Sequence, residues 1–312
     1  MHPVEETARL ALSTGLLDLT TAFTVERAIS RNCVHLVRQG ARTIAVKWHA
    51  TEAARRHEEE QLRSIRRSVP GVLVPDVHVG SENLLVTSTS STRSLGSAAG
   101  RRLLPRRAID RLGKALRQLH AGPPPAGGEP RGLSFHPHFA TGDVLDDSVA
   151  VRRVLARLQA DSQVDDALAA LQDALARQKP CWVHGDIRVS NILLGPAARR
   201  LFLIDWEHGG LGRPATDIGA AIAMVLEQSM YSTRPGPDDE GVRRLLAGYS
   251  PGEGGVPLRT ALRCAGLRFL QSAVENAASE NEPGPVTTRL ERVGLLMLTS
   301  PEETAIRLGL TR

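Results

Sequence analysis

HisGlyAspIleArgValSerAsn, residues 184–191, follows directly on the short apolar run that begins at Cys181, and LeuPheLeuIleAsp at 201–205 closes a second such run. Asn191 lies five residues after Asp186, and Asp205 lies fourteen residues after Asn191. Short apolar runs of this kind read as buried strands, which puts each acidic residue near a strand end. Two carboxylates and an amide so placed suit metal-assisted phosphoryl transfer. One carboxylate accepts or orients a hydroxyl proton, while the second carboxylate and the amide oxygen hold Mg²⁺ against phosphates. An Asn contributes a hard oxygen there without adding another negative charge.

Outward from this stretch the chain changes character near residue 90. Upstream, Val34, Leu36 and Val37 lead through Gly40 to ThrIleAlaValLysTrp at 43–48, which predicts a hairpin. A charged helix is expected over 51–67, with Leu62 and Ile65 on one face and ProGly at 70–71 ending it. Residues 72–79 and 84–87 read as two more strands. Residues 5–19 predict a leading helix with Ala8, Ala11, Leu12, Leu16 and Leu19 as its buried stripe, interrupted by Gly15. SerThrSerSerThrArgSer at 88–94 is polar and short, the composition of a hinge. Downstream, helical spacing dominates over 106–120, 148–178, 214–228, 240–248 and 257–311, with a Gly- and Pro-rich loop at 121–132 and a break at 283–285. The expectation is an α+β, bilobal chain. Residues 1–90 form a small β-rich lobe and 91–312 a large, mainly helical one, with a nucleotide cleft between them.

HGDxxxxN, then IleAspTrpGlu at 204–207, then GlyXaaProXaaXaaAsp at 212–217 resembles the aminoglycoside phosphotransferase and choline-kinase group, distant relatives of protein kinases, over about residues 23–230. The resemblance implies a protein-kinase-like fold, ATP and Mg²⁺ as cofactors, and transfer of the γ-phosphoryl group to a hydroxyl. It makes Asp186 the catalytic base or hydroxyl-orienting group and Asn191 and Asp205 the Mg²⁺ ligands. His184 would brace the loop, Asp217 would hydrogen-bond it, and Trp206 would pack. Glu207 stands where protein kinases have a glycine, as is usual in this group. Arg188 occupies the place of a kinase lysine beside the transferring phosphoryl group, where a guanidinium stabilises spreading charge; a surface arginine is the competing reading. Lys47 resembles the phosphate-gripping lysine, and its partner is expected on the next helix. HisGluGluGlu at 57–60 offers Glu58, Glu59 and Glu60, and Glu58 has the family's spacing to Leu62 and Ile65. Ser88, at the start of the hinge, joins the nucleotide-binding set. One departure is plain: no GxGxxG precedes Lys47, and the loop between the first strands is IleSerArgAsnCys at 29–33.

Composition narrows the setting. The 312 residues are 41% hydrophobic and 23% charged, enough for packed cores, but only 3% aromatic, so the cores rest on Leu, Val, Ile and Ala. Cys33, Cys181 and Cys264 are widely spaced and odd in number, which predicts free thiols in a reducing cytoplasm rather than a disulfide or zinc set. The first twenty residues carry acids where a signal peptide is basic, and no apolar run reaches membrane-spanning length. No nucleic-acid-binding motif accompanies the net charge of +5. The partner is therefore expected to be a hydroxyl-bearing small molecule or a precursor peptide. Arg93, Arg101, Arg102, Arg106 and Arg107 favour an acidic acceptor; Glu275, Glu280, Glu282 and Glu291 favour a cationic one, as in antibiotic resistance. A kinase-fold scaffolding subunit is the non-enzymatic alternative, and the complete set Lys47, Asp186, Asn191 and Asp205 speaks against it.

Overall fold

The N-terminal part of the chain folds as an antiparallel sheet whose central strands, rich in β-branched residues, are largely buried. The computed structural model describes residues 4–17, 20–27, 33–40, 42–89, 93–94, 105–125, 129–133, 135, 148–195, 200–230, 239–250 and 255–310. A helix α1 (Val4–Ser13) leads into strands β1 (Thr24–Arg27), β2 (Cys33–Gln39) and β3 (Arg42–Trp48). Helix α2 (Glu52–Ser68) follows, then β4 (Asp76–Ser81) and β5 (Leu84–Thr89), in sheet order β1-β2-β3-β5-β4. Val37, Ile44, Val46 and Val86 are fully buried between this sheet and α1. Thr51 caps α2 by accepting from the Ala54 amide at 3.2 Å, and Leu62 and Ile65 face the core.

Three elements differ from the sequence reading. The strand expected over 72–79 begins only at Asp76, since Pro75 has no amide to give a ladder; Val72 and Val74 instead sink into the central core, and Leu73 bridges to Phe202. β1 is an edge strand whose residues are mostly exposed, so it carries no apolar alternation to read. α1 ends at Ser13, before Gly15, and so holds only part of the expected stripe. Leu19, residues 28–32 of the expected phosphate loop and residues 90–92 of the expected hinge lie outside the described residues.

β6 (Arg93–Ser94) pairs with Leu193 and Leu194, in the mainly helical part of the chain. Helices α3 (Arg106–Ala121), α4 (Val149–Gln159) and α5 (Ser162–Ala176) precede β7 (Cys181–Val183), β8 (Ile192–Leu194), β9 (Leu201–Leu203) and β10 (Gly210–Gly212). β6, β8 and β9 make one small sheet, and β7 pairs with β10. β7 and β9 are the two apolar runs, β6, β8 and β10 are strands not read from the sequence, and Ile204 N–H donating to the Asn191 carbonyl at 3.0 Å ties the end of β9 to the 184–191 loop. Helices α6 (Pro214–Met230), α7 (Asp239–Tyr249), α8 (Leu258–Ala277), α9 (Pro285–Thr299) and α10 (Pro301–Arg307) complete the fold. Thirteen of the twenty α8 residues are buried, as expected of a helix packed on several sides by α6, α9 and α4.

α3 and α7 touch backbone to backbone at Gly113 and Gly248. A Cβ on Gly113 would stand 2.3 Å from the Leu245 carbonyl oxygen, with nothing flexible to yield. Gly113→Ala is expected to destabilise the protein by about 1–3 kcal/mol, the cost of forcing packed elements apart. Urea unfolding reads this directly: an unchanged midpoint would show that the helices separate freely.

Candidate active site

Lys47 stands near the end of β3 with its ammonium inside the cleft between sheet and helices. Nζ donates to Glu58 Oε2 at 2.7 Å, to Glu207 Oε2 at 3.1 Å and to Asp205 Oδ1. Of the three glutamates offered by α2, Glu58 is therefore the one in reach. Glu59 turns to Arg55 and Arg63, and Glu60 is exposed. Burial alone would lower the Lys47 pKa, but the three carboxylates more than offset it and hold it above its ordinary value. Burial pushes Glu58 upward as well, yet with the ammonium at 2.7 Å we read the pair as charged. Asp205 has left-handed backbone, φ +66° and ψ +62°, a conformation that costs an L-residue roughly 1–2 kcal/mol and is most tolerable for Asp and Asn. That turn brings its carboxylate to Lys47.

The 184–191 loop is tied from below. Buried Asp217 accepts from the His184 amide at 2.7 Å and the Gly185 amide at 2.9 Å, and lies 3.2 Å from His120 Nε2. Burial would raise the Asp217 pKa, but these donors hold it below the usual carboxylate range. His184 Nδ1 accepts from the Asp186 amide at 3.3 Å, so Nε2 carries the proton and donates to the Ile204 carbonyl at 2.9 Å. Its ring leans on the fully buried Trp206. Gly185 has φ +78°, and a Cβ there would lie 2.4 Å from the His208 carbonyl oxygen, so this turn requires glycine.

At the top of the loop Asp186 is held by both oxygens. Oδ1 accepts from Arg188 Nε at 2.8 Å, and Oδ2 accepts from Asn191 Nδ2 at 2.9 Å. Asn191 Nδ2 also reaches the Asp186 carbonyl at 2.9 Å, which commits the amide nitrogen to the loop and turns Oδ1 outward, where Ser190 Oγ lies at 3.2 Å. Burial would lower the Arg188 pKa, but Asp186 and Glu275 raise it. Ser88 lines the same cleft from β5, its Oγ 2.7 Å from His78 Nε2. The cleft has a volume of about 920 Å³ and is bordered by Lys47, Glu58, Ser88, Asp186, Asn191 and Asp205 together.

Other expected residues do not meet here. Arg106 and Arg107 lie on the exposed first turn of α3 and do not line the cleft; Arg101, Arg102 and the Arg93 side chain fall outside the described residues. Glu282 pairs with Arg153, Glu291 with Arg157, and Glu280 with Asn276, Thr287 and the Gly284 amide. Only Glu275 approaches the site, between Arg188 and Arg268. His120, Tyr249 and His49 were not singled out from sequence, because a lone histidine or tyrosine on a helix or strand carries no spacing signal.

His49 is buried beside this cluster. Its Nε2 lies 3.3 Å from Glu58 Oε2 without hydrogen-bond geometry. His49, Glu58 and Glu207 have ligand atoms within 4.8 Å of one another, but Lys47 already bonds both carboxylates, so a cation among them would meet the ammonium. Burial, helped by Lys47, lowers the His49 pKa to about 4. The unfolded chain then takes up a proton below about pH 6.5 that the folded protein takes only below about 4. Stability is therefore full above pH 6.5 and is expected to fall by on the order of 2–3 kcal/mol as pH drops through that window. His49→Gln should flatten this part of the stability curve; identical pH profiles for the two proteins would remove His49 as its source.

Among the described residues no helix is long and apolar enough to cross a membrane. The phosphotransferase enzyme family, APH, matches residues 31–260. Among curated proteins no sequence match is found. Solved structures similar to this chain include a choline kinase, LicA, from Streptococcus pneumoniae, at 17% identity and TM-score 0.58, covering 95% of this chain and 99% of that one. A macrolide 2′-phosphotransferase, MphH, from Brachybacterium faecium aligns at 18% identity and TM-score 0.56, with 95% and 99% covered. The spectinomycin phosphotransferase APH(9)-Ia, solved with ADP and spectinomycin, aligns at 15% identity and TM-score 0.55, with 97% and 99% covered. At such identities these likenesses speak for the fold, which is protein-kinase-like. The family match extends over most of the chain, and on it the chain belongs to the phosphotransferase enzyme family.

Proposed function

We propose that this chain transfers the γ-phosphoryl group of Mg·ATP to a hydroxyl of a small molecule, with residues 1–90 as the phosphate-gripping lobe and 91–312 as the catalytic and acceptor lobe. The observation that carries the reading is the convergence, in one cleft, of Lys47 held by Glu58 with Asp186, Asn191 and Asp205. Binding of ADP by the spectinomycin phosphotransferase supports a nucleotide in the corresponding cleft here.

Lys47 grips the ATP phosphates, and Glu58 fixes its ammonium. Ser88 borders the nucleotide. Asn191 Oδ1 and the Asp205 carboxylate, which flank the paired strands β8 and β9, are hard oxygen donors and suit Mg²⁺, which keeps part of its water shell and takes one or two protein oxygens. Bound there, the ion would neutralise charge on the phosphates. Asp186 accepts the hydrogen bond of the acceptor hydroxyl and orients it for in-line attack. As the hydroxyl oxygen bonds to the γ-phosphorus, the bond to the β–γ bridging oxygen breaks and ADP leaves. The hydroxyl proton passes to Asp186. Arg188, bonded to Asp186, offsets negative charge spreading over the equatorial oxygens.

Incubation of the pure protein with Mg·ATP and candidate acceptors, with transfer read by mass, tests the reading. The panel includes small hydroxyl compounds and a peptide bearing Ser and Thr. Phosphorylation of the peptide alone would replace the small-molecule acceptor; no nucleotide binding and no transfer to any acceptor would defeat the proposal.

A further inference from the structure

The two ends of the cleft differ in charge. Around Lys47 the lining carries Glu58, Asp205 and Glu207. α8 contributes Cys264, Leu267, Arg268 and Gln271 to the lining, succeeding one another at helical spacing along one face. That face contributes a guanidinium and an amide and no carboxylate.

Arg268 is incompletely satisfied. Its side chain is 14% exposed, and its Nη1 is buried without a hydrogen-bond partner among the described residues. The nearby carboxylate oxygen, Glu275 Oε1, is 3.7 Å away. The same oxygen lies 3.7 Å from Arg188 Nη2 and already accepts from Gln271 Nε2 at 3.0 Å. Glu275 thus stands between two guanidinium groups and makes a close pair with neither. A buried donor left open in a cleft wall points to a partner supplied by a ligand. For a guanidinium that partner is an oxyanion, carboxylate or phosphate.

Arg188 sets the distance between this oxyanion and the reacting hydroxyl. Its Nε is bonded to Asp186 Oδ1 at 2.8 Å, while its Nη2 faces the Glu275 oxygen shared with Arg268. An anion seated between Arg188 and Arg268 therefore stands about the width of one guanidinium from a hydroxyl at Asp186. Among the groups that line this end, two guanidinium groups face one carboxylate, Asp186, which is bonded to Arg188. Glu275 is tied to Gln271, and Glu227 is buried, which raises its pKa against the pull of Arg268; neither borders the cleft.

We propose that the acceptor is a short-chain hydroxyl compound carrying an oxyanion, carboxylate or phosphate, a few bonds from the hydroxyl, and that Arg268 binds this oxyanion with Arg188 and Gln271. The assignment rests on the phosphotransferase reading above. It disfavours quaternary ammonium and polycationic acceptors, whose charge would face the guanidinium groups of Arg188 and Arg268.

Calorimetry on the full chain with saturating Mg·ADP tests it, using glycerate, glycerol 3-phosphate, glycerol, choline and kanamycin as probes. At least one of the two anions is expected to bind tenfold or more tightly than glycerol, choline and kanamycin, and whether glycerate or glycerol 3-phosphate leads tells carboxylate from phosphate. Arg268→Gln should weaken the anion at least tenfold, and Arg268→Lys should restore part of the loss, with Mg·ADP affinity unchanged in both. Should Arg268→Gln not fold, Gln271→Leu carries the same expectation at about a threefold loss. Tighter binding of choline or kanamycin than of both anions overturns the assignment. So does failure of both anions to bind, or indifference of anion binding to these substitutions. Failure of the phosphotransferase reading is seen separately, as absence of Mg·ADP binding before any acceptor is added.

Discussion

Asp186→Asn is expected to lower kcat at least about a hundredfold while leaving Mg·ATP affinity within about twofold, the scale on which a positioned acid–base group acts. The substitution keeps the shape of the side chain and so spares the loop, whose hold on Asp217 and His184 does not involve the Asp186 carboxylate. What is lost is the anionic oxygen pair that Arg188 and Asn191 now hold from two sides. An amide presents one acceptor and one donor, and its donor face opposes either the Arg188 Nε–H or the Asn191 Nδ2–H. The acceptor hydroxyl then finds neither a proton acceptor nor a stable orientation. Single-turnover kinetics separates this from weaker acceptor binding. A variant with near parental turnover would take Asp186 out of the mechanism.

Asp205→Ala is expected to abolish Mg-dependent nucleotide binding, with an affinity loss of a hundredfold or more. Two effects coincide at this residue. The proposed metal site would lose its carboxylate and keep only the Asn191 oxygen, so the phosphates would lose their charge neutraliser. Lys47 also loses one of three carboxylates around its ammonium and is left to Glu58 and Glu207. Removing the side chain further relieves nothing useful in the left-handed turn, because alanine tolerates φ +66° less well than aspartate. Titration of ADP with and without Mg²⁺ checks the result. Unchanged Mg·ADP affinity together with intact metal dependence would exclude Asp205 as a ligand.

Much of this geometry was legible from spacing. HisGlyAsp, Asn191 and Asp205 end or follow apolar runs, and short buried strands with tight turns bring exactly such ends together in one small region, so the local signal and the tertiary outcome agree. Glu58 was legible, against Glu59 and Glu60, only through the resemblance, by the family's spacing to Leu62 and Ile65; in the structure Glu58, Leu62 and Ile65 share the buried face of α2. β1 was not legible, because an exposed edge strand has no burial pattern. Val72 and Val74 misled in the opposite sense: they are apolar and β-branched, but their burial comes from the central core and not from a ladder. The acceptor wall was obscured by α8 itself. A helix buried on several sides shows no polar face, so Arg268 and Gln271 do not stand out among its neighbours, whereas the glutamates of the same region do and are mostly paired elsewhere.

That α8 is at once a pillar of the core and a wall of the cleft constrains how this protein can be diversified. Cys264 and Leu267, which border the cleft, are also 6% and 4% exposed and belong to the core that α8 shares with α4 and α5, so most replacements there trade folding for any gain in selectivity. Arg268 and Gln271 are the positions on this face whose side chains end in the cleft rather than in the core. A randomised library directed at those two letters should yield many folded variants with altered acceptor choice, and one directed at Cys264 and Leu267 should yield few folded ones.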